Sequence, residues 1–374
     1  METYIYNGRR LDKSMLPLFG RHNAGSRTRY IKLLVVFVLA TIVGLYYQFT
    51  QEERLLKESW TKQTAAYNSD CYVTVAMGSD LASSRGLFAS INSIISNYSG
   101  GDDEKLCVYI FSTKADLQTR EQGINCVFEG KLPSNVQIHH RSIDQTQWNP
   151  QIFTEQDELM HEDAREYLFM RYYLKPSDVD GTQRVIWIDS DTIVRGDVKT
   201  LYEWDLKGKP IAAANYWEPL KNYLCTNPRL NRIKMKTPYG KTSPFNVRNN
   251  LNTGLMVIDL YQMQRRRILD KFHNLVISHE FDCLWNDEAG REKGFDLALE
   301  GEYIELPSVW NVGHLGQGEL LRVSLKDDAC QQAKMLHFNG LNKPYSVGRS
   351  SSLCVHFFDE YDIIAIDQKS HCLQ

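Results

Sequence analysis

The chain has 374 residues, of which 43% are hydrophobic and 24% charged, an ordinary globular composition with room for one large domain or two modest ones. A formal net charge of −3 and a pI of about 6.4 exclude the whole-chain basic field on which nucleic-acid binding usually rests. Extensive disorder is excluded as well, because this much apolar surface is enough to form a core.

In chain order, the first departure from that average is LLVVFVLATIVGLYYQF, residues 33 to 49, which runs 17 positions without a charge. That length just spans a bilayer, and Lys32 at its edge can snorkel to the headgroups. Arg9, Arg10, Lys13, Arg21, Arg27, Arg29 and Lys32 precede it against only Glu2 and Asp12, so the amino terminus is expected to stay cytosolic. We read residues 1–30 as a cytosolic tail, 31–49 as a single transmembrane signal anchor, 50–69 as a polar stem and 70–374 as a lumenal domain. A cleaved signal peptide is the competing reading; against it stand the long leading segment and the lack of an A-x-A site after the apolar run. All eight cysteines lie beyond the apolar block, where an oxidising lumen permits disulfides. Without a CxxC pair, zinc is not expected, and the spacing leaves the pairing open. Asn97-Tyr98-Ser99 is a glycosylation sequon expected on a surface turn.

From Cys71 onward, short β-rich runs (CYVTVAM, LCVYIFS, NVQIHHR, RVIWID, PIAAAN, TGLMVIDL, EYIEL, KMLHF) alternate with helical patterns such as Leu87, Ile91, Ile94 and Ile95. The alternation predicts an α/β domain with a mostly parallel sheet and flanking helices. The near-continuous apolar strands predict burial on both faces. Arg265-Arg266-Arg267 reads as the polar side of one helix before Ile268 and Leu269 return to the core.

Two stretches carry chemistry. VIWIDSDTIV, residues 185 to 194, ends an apolar strand in Asp189 and Asp191, whose side chains are expected on one face because they lie two apart. Two close carboxylates repel, and a divalent cation of the Mg²⁺ or Mn²⁺ type resolves the repulsion; turn aspartates satisfied by water are the alternative. MLHFNGLNKPY, residues 335 to 345, delivers His337, Gly340 and Lys343 as HxxGxxKP. The histidine can complete a metal shell or be structural, the glycine admits a phosphate, and the lysine offers it a charge.

Together with VTVAM (73 to 77), YLFMRYYLKP (167 to 176), NTGLMVIDL (252 to 260) and NDE…IELPSVWN (286 to 311), these motifs resemble glycosyltransferase family 8 over about residues 70 to 346. The resemblance implies a retaining enzyme of the GT-A (Rossmann-like) fold, transferring a sugar from a UDP-sugar to a glycan or glycoconjugate acceptor with Mn²⁺, Mg²⁺ being the substitute. It implies Asp189, Asp191 and His337 as metal ligands, and Gly340 and Lys343 at the diphosphate. Val75, Ala76 and Met77 would border the uracil and ribose, while Arg171, Asn252 and Asp287 look like the residues around the donor sugar. For Arg171 the plain alternative is an ion pair with Asp163, and for Asn252 a turn cap. The chain departs from the family at Glu288, where a glutamine is common. A carboxylate there is either a nucleophile or stabiliser of an oxocarbenium-like centre, or a solvated helix residue.

A Golgi membrane location follows from the same resemblance, with the endoplasmic reticulum as the alternative. Between Glu218 and Asn250 lie Lys221, Arg229, Arg232, Lys234, Lys236, Lys241 and Arg248 without an acid, which suits an anionic acceptor or a solvated lid. The competing functions are a membrane-tethered sugar-binding protein that lost transfer and, more distantly, a haloacid-dehalogenase-like phosphatase. In the latter a threonine is expected where Ile193 stands.

Overall fold

The computed structural model describes residues 24–65, 70–144, 146, 148, 162–216, 225, 250–281, 283–285, 292–317, 328–346 and 353–373. Asp287, Glu288 and all of the basic segment's Lys and Arg residues lie outside the described residues. The chain divides into two compact units, Met1–Glu58 and Ser59–Gln374.

Helix α1 (Ala24–Ala65) crosses that boundary without a break. Within Ile31–Thr61 an 18-residue window has a mean hydropathy of 2.0 and none of it is buried, so by length and composition this helix can cross a membrane. The helix continues through most of the segment read as a stem. Trp60, in that segment, is buried and packs edge-on against Tyr261 at 5.4 Å, so the second unit begins before residue 70.

The second unit is built on a seven-stranded sheet in the order β3-β2-β1-β4-β7-β6-β8. The strands are β1 (Cys71–Gly78), β2 (Lys105–Ser112), β3 (Val136–Ser142), β4 (Arg184–Ile188), β6 (Ile211–Asn215), β7 (Leu251–Asp259) and β8 (Tyr303–Glu305). β7 alone runs against its neighbours, so the sheet is mostly parallel, as its apolar strands predict. Alternation sorts the side chains: Val75, Met77, Ile186 and Ile188 enter the core beneath α2 (Ser84–Ser96) and α3 (Leu117–Phe128). Ala76 and Trp187 enter the opposite core, with α4 (Glu162–Tyr173) and the helices Ile268–Phe281 and Glu292–Ala298. Each fully buried large side chain in these cores contributes roughly 1.5–3 kcal/mol.

A second, two-stranded sheet was not anticipated. β5 (Thr192–Val194) pairs antiparallel with β9 (Met335–His337), setting Thr192 opposite His337. Two local expectations also change. The helix Leu260–Arg265 stops where Arg266 caps it and Arg267 turns to φ +54°, so the arginine run joins two helices instead of lining one. Asn97 caps α2, and its amide nitrogen donates to Ser93 O, Val194 O and Tyr361 Oη, so the sequon's acceptor atom is engaged in packing and not free on a turn. The cysteines pair as Cys71–Cys107, Cys126–Cys372, Cys225–Cys283 and Cys330–Cys354.

Candidate active site

In a doubly wound sheet the ligand crevice lies beyond the carboxyl ends of the strands, where the strand order reverses. Here that point falls between β1 and β4, which pair through Val75–Ile186 and Ala76–Trp187. β4 ends at Ile188, and Asp189-Ser190-Asp191 forms the turn into β5. The two aspartates therefore converge through a turn and not by sharing a strand face. The Thr192 hydroxyl donates to Asp189 O at 2.8 Å, and Asp189 N donates to Gly254 O at 2.9 Å.

The pairing of β5 with β9 carries His337, 146 residues beyond Asp191 in the chain, to the same place. Its Nε2 lies 3.1 Å from Asp191 Oδ1 and 3.9 Å from Asp189 Oδ2. One donor atom from each of the three residues lies within 4.8 Å of the others. The far ring nitrogen, Nδ1, faces Asn311 Oδ1 at 3.2 Å, which fixes the ring with Nε2 toward the carboxylates. Two carboxylate oxygens and one imidazole, without a thiolate, suit Mn²⁺ or Mg²⁺, so these residues fit a divalent cation.

Cations surround the pair. Lys343 Nζ lies 2.5 Å from Asp191 Oδ2 and donates to Phe338 O at 3.0 Å. Burial alone would raise the Asp191 carboxyl, but His337 and Lys343 together hold it well below the usual carboxylate range. Arg171, 4% exposed, donates to Asp189 Oδ2 at 3.2 Å and to both Thr253 O and Thr253 Oγ1. Burial works against its charge, but Asp189 outweighs it and raises the guanidinium further. The Trp187 indole donates to the other Asp189 oxygen at 2.8 Å. Among the described residues, Arg171 thus pairs with Asp189; the side chain of Asp163 lies outside them.

The predicted donor-side residues divide. Asn252 is buried on β7, its Oδ1 accepts Gly254 N, and its Nδ2 has no hydrogen-bond partner among the described residues. An unsatisfied buried donor is costly, so a ligand acceptor suits it. Gly340 adopts φ +117° and packs on Gly316, where a Cβ would come within 2.7 Å of backbone. Val75, Ala76 and Met77 are fully buried, so only their backbone and the loop after them can meet a ligand.

Several supporting residues were not assigned from sequence. Asn311 ends the quoted IELPSVWN, yet only the fold sets it against His337. Tyr216 is half-buried with its ring 5.0 Å from His314, and loss of solvent around the phenol foremost, with Glu292 and the two aspartates adding, raises it. Asp296 accepts Leu251 N at 3.2 Å, and burial pushes it up to about 7 against the opposing pull of Lys293.

The model of glycosyl transferase family 8 matches residues 64–346. The chain is 22% identical over 339 residues to glycosyltransferase 8 domain-containing protein 2 of Mus musculus, covering 84% of this chain and 90% of that one. It is 25% identical over 289 residues to probable galacturonosyltransferase-like 5 of Arabidopsis thaliana, covering 73% and 71%. Among solved structures, the apo form of the bifunctional glycosyltransferase WbbM superposes with a TM-score of 0.56 at 17% identity, covering 80% of this chain and 52% of WbbM. An active-site mutant of LgtC gives 0.50 at 13% identity, covering 77% and 95%.

Proposed function

Because the chain belongs to glycosyl transferase family 8 and is a glycosyltransferase, we propose that it moves a sugar from a UDP-sugar to a glycan or glycoconjugate acceptor, with retention and with Mn²⁺ held by Asp189, Asp191 and His337. The observation that carries this reading is the convergence of those three side chains with Lys343 beside them.

Leaving of the nucleoside diphosphate builds negative charge, and fixed cations aimed at that charge lower the barrier. The divalent cation supplies Lewis-acid charge at the diphosphate when bound. Lys343, at the lip of the same cluster, neutralises the departing phosphate, and Gly340 lets the backbone of its loop approach closely. Arg171 orients Asp189, and Nδ2 of Asn252, which has no partner among the described residues, takes a hydroxyl of the donor sugar. Asp287 grips that sugar as well, and Glu288 stabilises the positive charge that develops at the anomeric carbon. The acceptor hydroxyl then forms the new glycosidic bond on the face the diphosphate leaves, and its proton passes to the departing phosphate oxygen.

The helix from Ile31 anchors the protein as a single-pass type II chain of the Golgi, with the disulfide-bonded unit in the lumen. The basic segment between Glu218 and Asn250 meets an anionic acceptor, so transfer to a uronic-acid polymer weakens with salt more steeply than transfer to a neutral glycan.

Release of UDP from a panel of UDP-sugars, with and without Mn²⁺, tests the reading. The expected result is metal-dependent release that falls by at least about a hundredfold in Asp191→Ala, since one charge-stabilising group is worth that much. Release independent of metal, or untouched by that substitution, refutes it.

A further inference from the structure

Arg120 is the largest charged side chain buried outright in the described residues, at 1% exposure on the inner face of α3. A buried charge is expected to sit against an opposite charge, because desolvation is otherwise uncompensated. None of the ion pairs among the described residues includes Arg120; the guanidinium is instead bonded to one short loop. Nη1 donates to Ser84 Oγ at 2.7 Å, and Nη2 donates to Ser79 O at 2.8 Å and Asp80 O at 2.5 Å. Burial lowers its pKa, with Tyr167, Asp80 and Asp116 opposing, and a guanidinium stays charged regardless.

That loop leaves the carboxyl end of β1, beside the turn that carries Asp189 and Asp191. It is held at two further points. Asp80 caps the turn Leu81–Ser83 by accepting Ser83 N at 2.7 Å, and one turn into α2 a Cβ at Gly86 would lie 2.4 Å from the Tyr345 ring. Tyr345 is two residues beyond Lys343, whose carbonyl accepts both Ser346 N and Ser346 Oγ. The loop from Ser79 to Ser84 is therefore held between Arg120 and the lysine loop. A buried cation committed to two carbonyls costs stability at this position, and a neutral residue of similar shape would fill α3 more cheaply.

We propose that Arg120 is a positioning residue for the nucleotide: it locks the Ser79–Ser84 loop as one wall of the nucleoside pocket and sets the distance from that wall to Lys343. This rests on the UDP-sugar reading above. The cation touches no substrate. It acts by fixing backbone carbonyls whose shift would misplace the nucleoside relative to the metal cluster.

The test uses the full-length protein in detergent, with Arg120→Lys, Arg120→Met and Ser84→Ala. UDP affinity is measured by calorimetry with saturating Mn²⁺, Mn²⁺ affinity without nucleotide by electron paramagnetic resonance, and folding by Tm. UDP binding is expected to weaken roughly tenfold or more in Arg120→Met, to recover partly in Arg120→Lys and to weaken about threefold in Ser84→Ala, while Mn²⁺ alone binds within about twofold of the wild type. Should Arg120→Met not fold, the lysine and alanine variants carry the comparison. UDP binding unchanged in the folded variants overturns the proposal, and so does an equal loss of Mn²⁺ affinity, which would mean general loosening. A wild type that binds GDP or CDP but not UDP refutes the donor assignment instead; the same variants are then compared with the nucleotide it does bind.

Discussion

Gly254 and His337 are in such close contact that a Cβ built on Gly254 would lie 2.1 Å from Cε1 of the imidazole and 3.0 Å from Asp189 Oδ2. β7 passes directly behind the cluster of Asp189, Asp191 and His337, and only a residue without a side chain leaves the ring its place. Gly254→Ala is therefore expected to displace His337 and lower Mn²⁺ affinity by at least about tenfold, as loss of a ligand's support does. Metal titration of the variant checks this, and wild-type affinity would mean the ring moves without consequence.

Asn311 holds Nδ1 of His337 at 3.2 Å and its own Nδ2 donates to Asn252 O. Removing the outer partner of a metal-ligating histidine typically costs about 10–100-fold in affinity. Asn311→Ala should show that loss in Mn²⁺ binding. Asn311→Asp, which keeps an acceptor, should show less.

Asp296 gives a pH prediction. Its carboxyl is pushed up to about 7, chiefly by burial, from the ordinary aspartate value of 3.8. The folded state then holds a proton that the unfolded chain has released, so this group's stabilisation is complete below about pH 4 and is lost as pH rises through about 7. Between pH 5 and pH 8 the wild type should lose about 2 kcal/mol that Asp296→Asn does not lose. Urea unfolding of both proteins at the two pH values measures the difference, and parallel curves would contradict it.

Trp60 bears on where the folded unit begins. Buried against Tyr261, it should cost about 3–5 kcal/mol on truncation to alanine. A chain starting at Ser59 is expected to melt several degrees above one starting at residue 70, which lacks that ring. Equal Tm values would place Trp60 outside the cooperative unit.

The eight apolar runs read from Cys71 onward correspond to strands of the two sheets, because buried parallel strands write their period and composition locally. β5 was not legible: TIV is three residues long, and it is a strand only because β9 lies beside it. The aspartates and HxxGxxKP were visible as donor chemistry, and the family's order of motifs tied them together.

What sequence determined by itself is whatever a short window encodes: the apolar helix, the alternation of strand and helix, the paired carboxylates. Distance was decided only by tertiary structure. A β5–β9 pairing brings His337 to Asp191, β7 needs a glycine where it crosses the imidazole, and Arg120 reaches acceptors on Ser79, Asp80 and Ser84. Such contacts depend on how separate segments pack, and packing is a property of the whole folded chain that no local pattern of residues records.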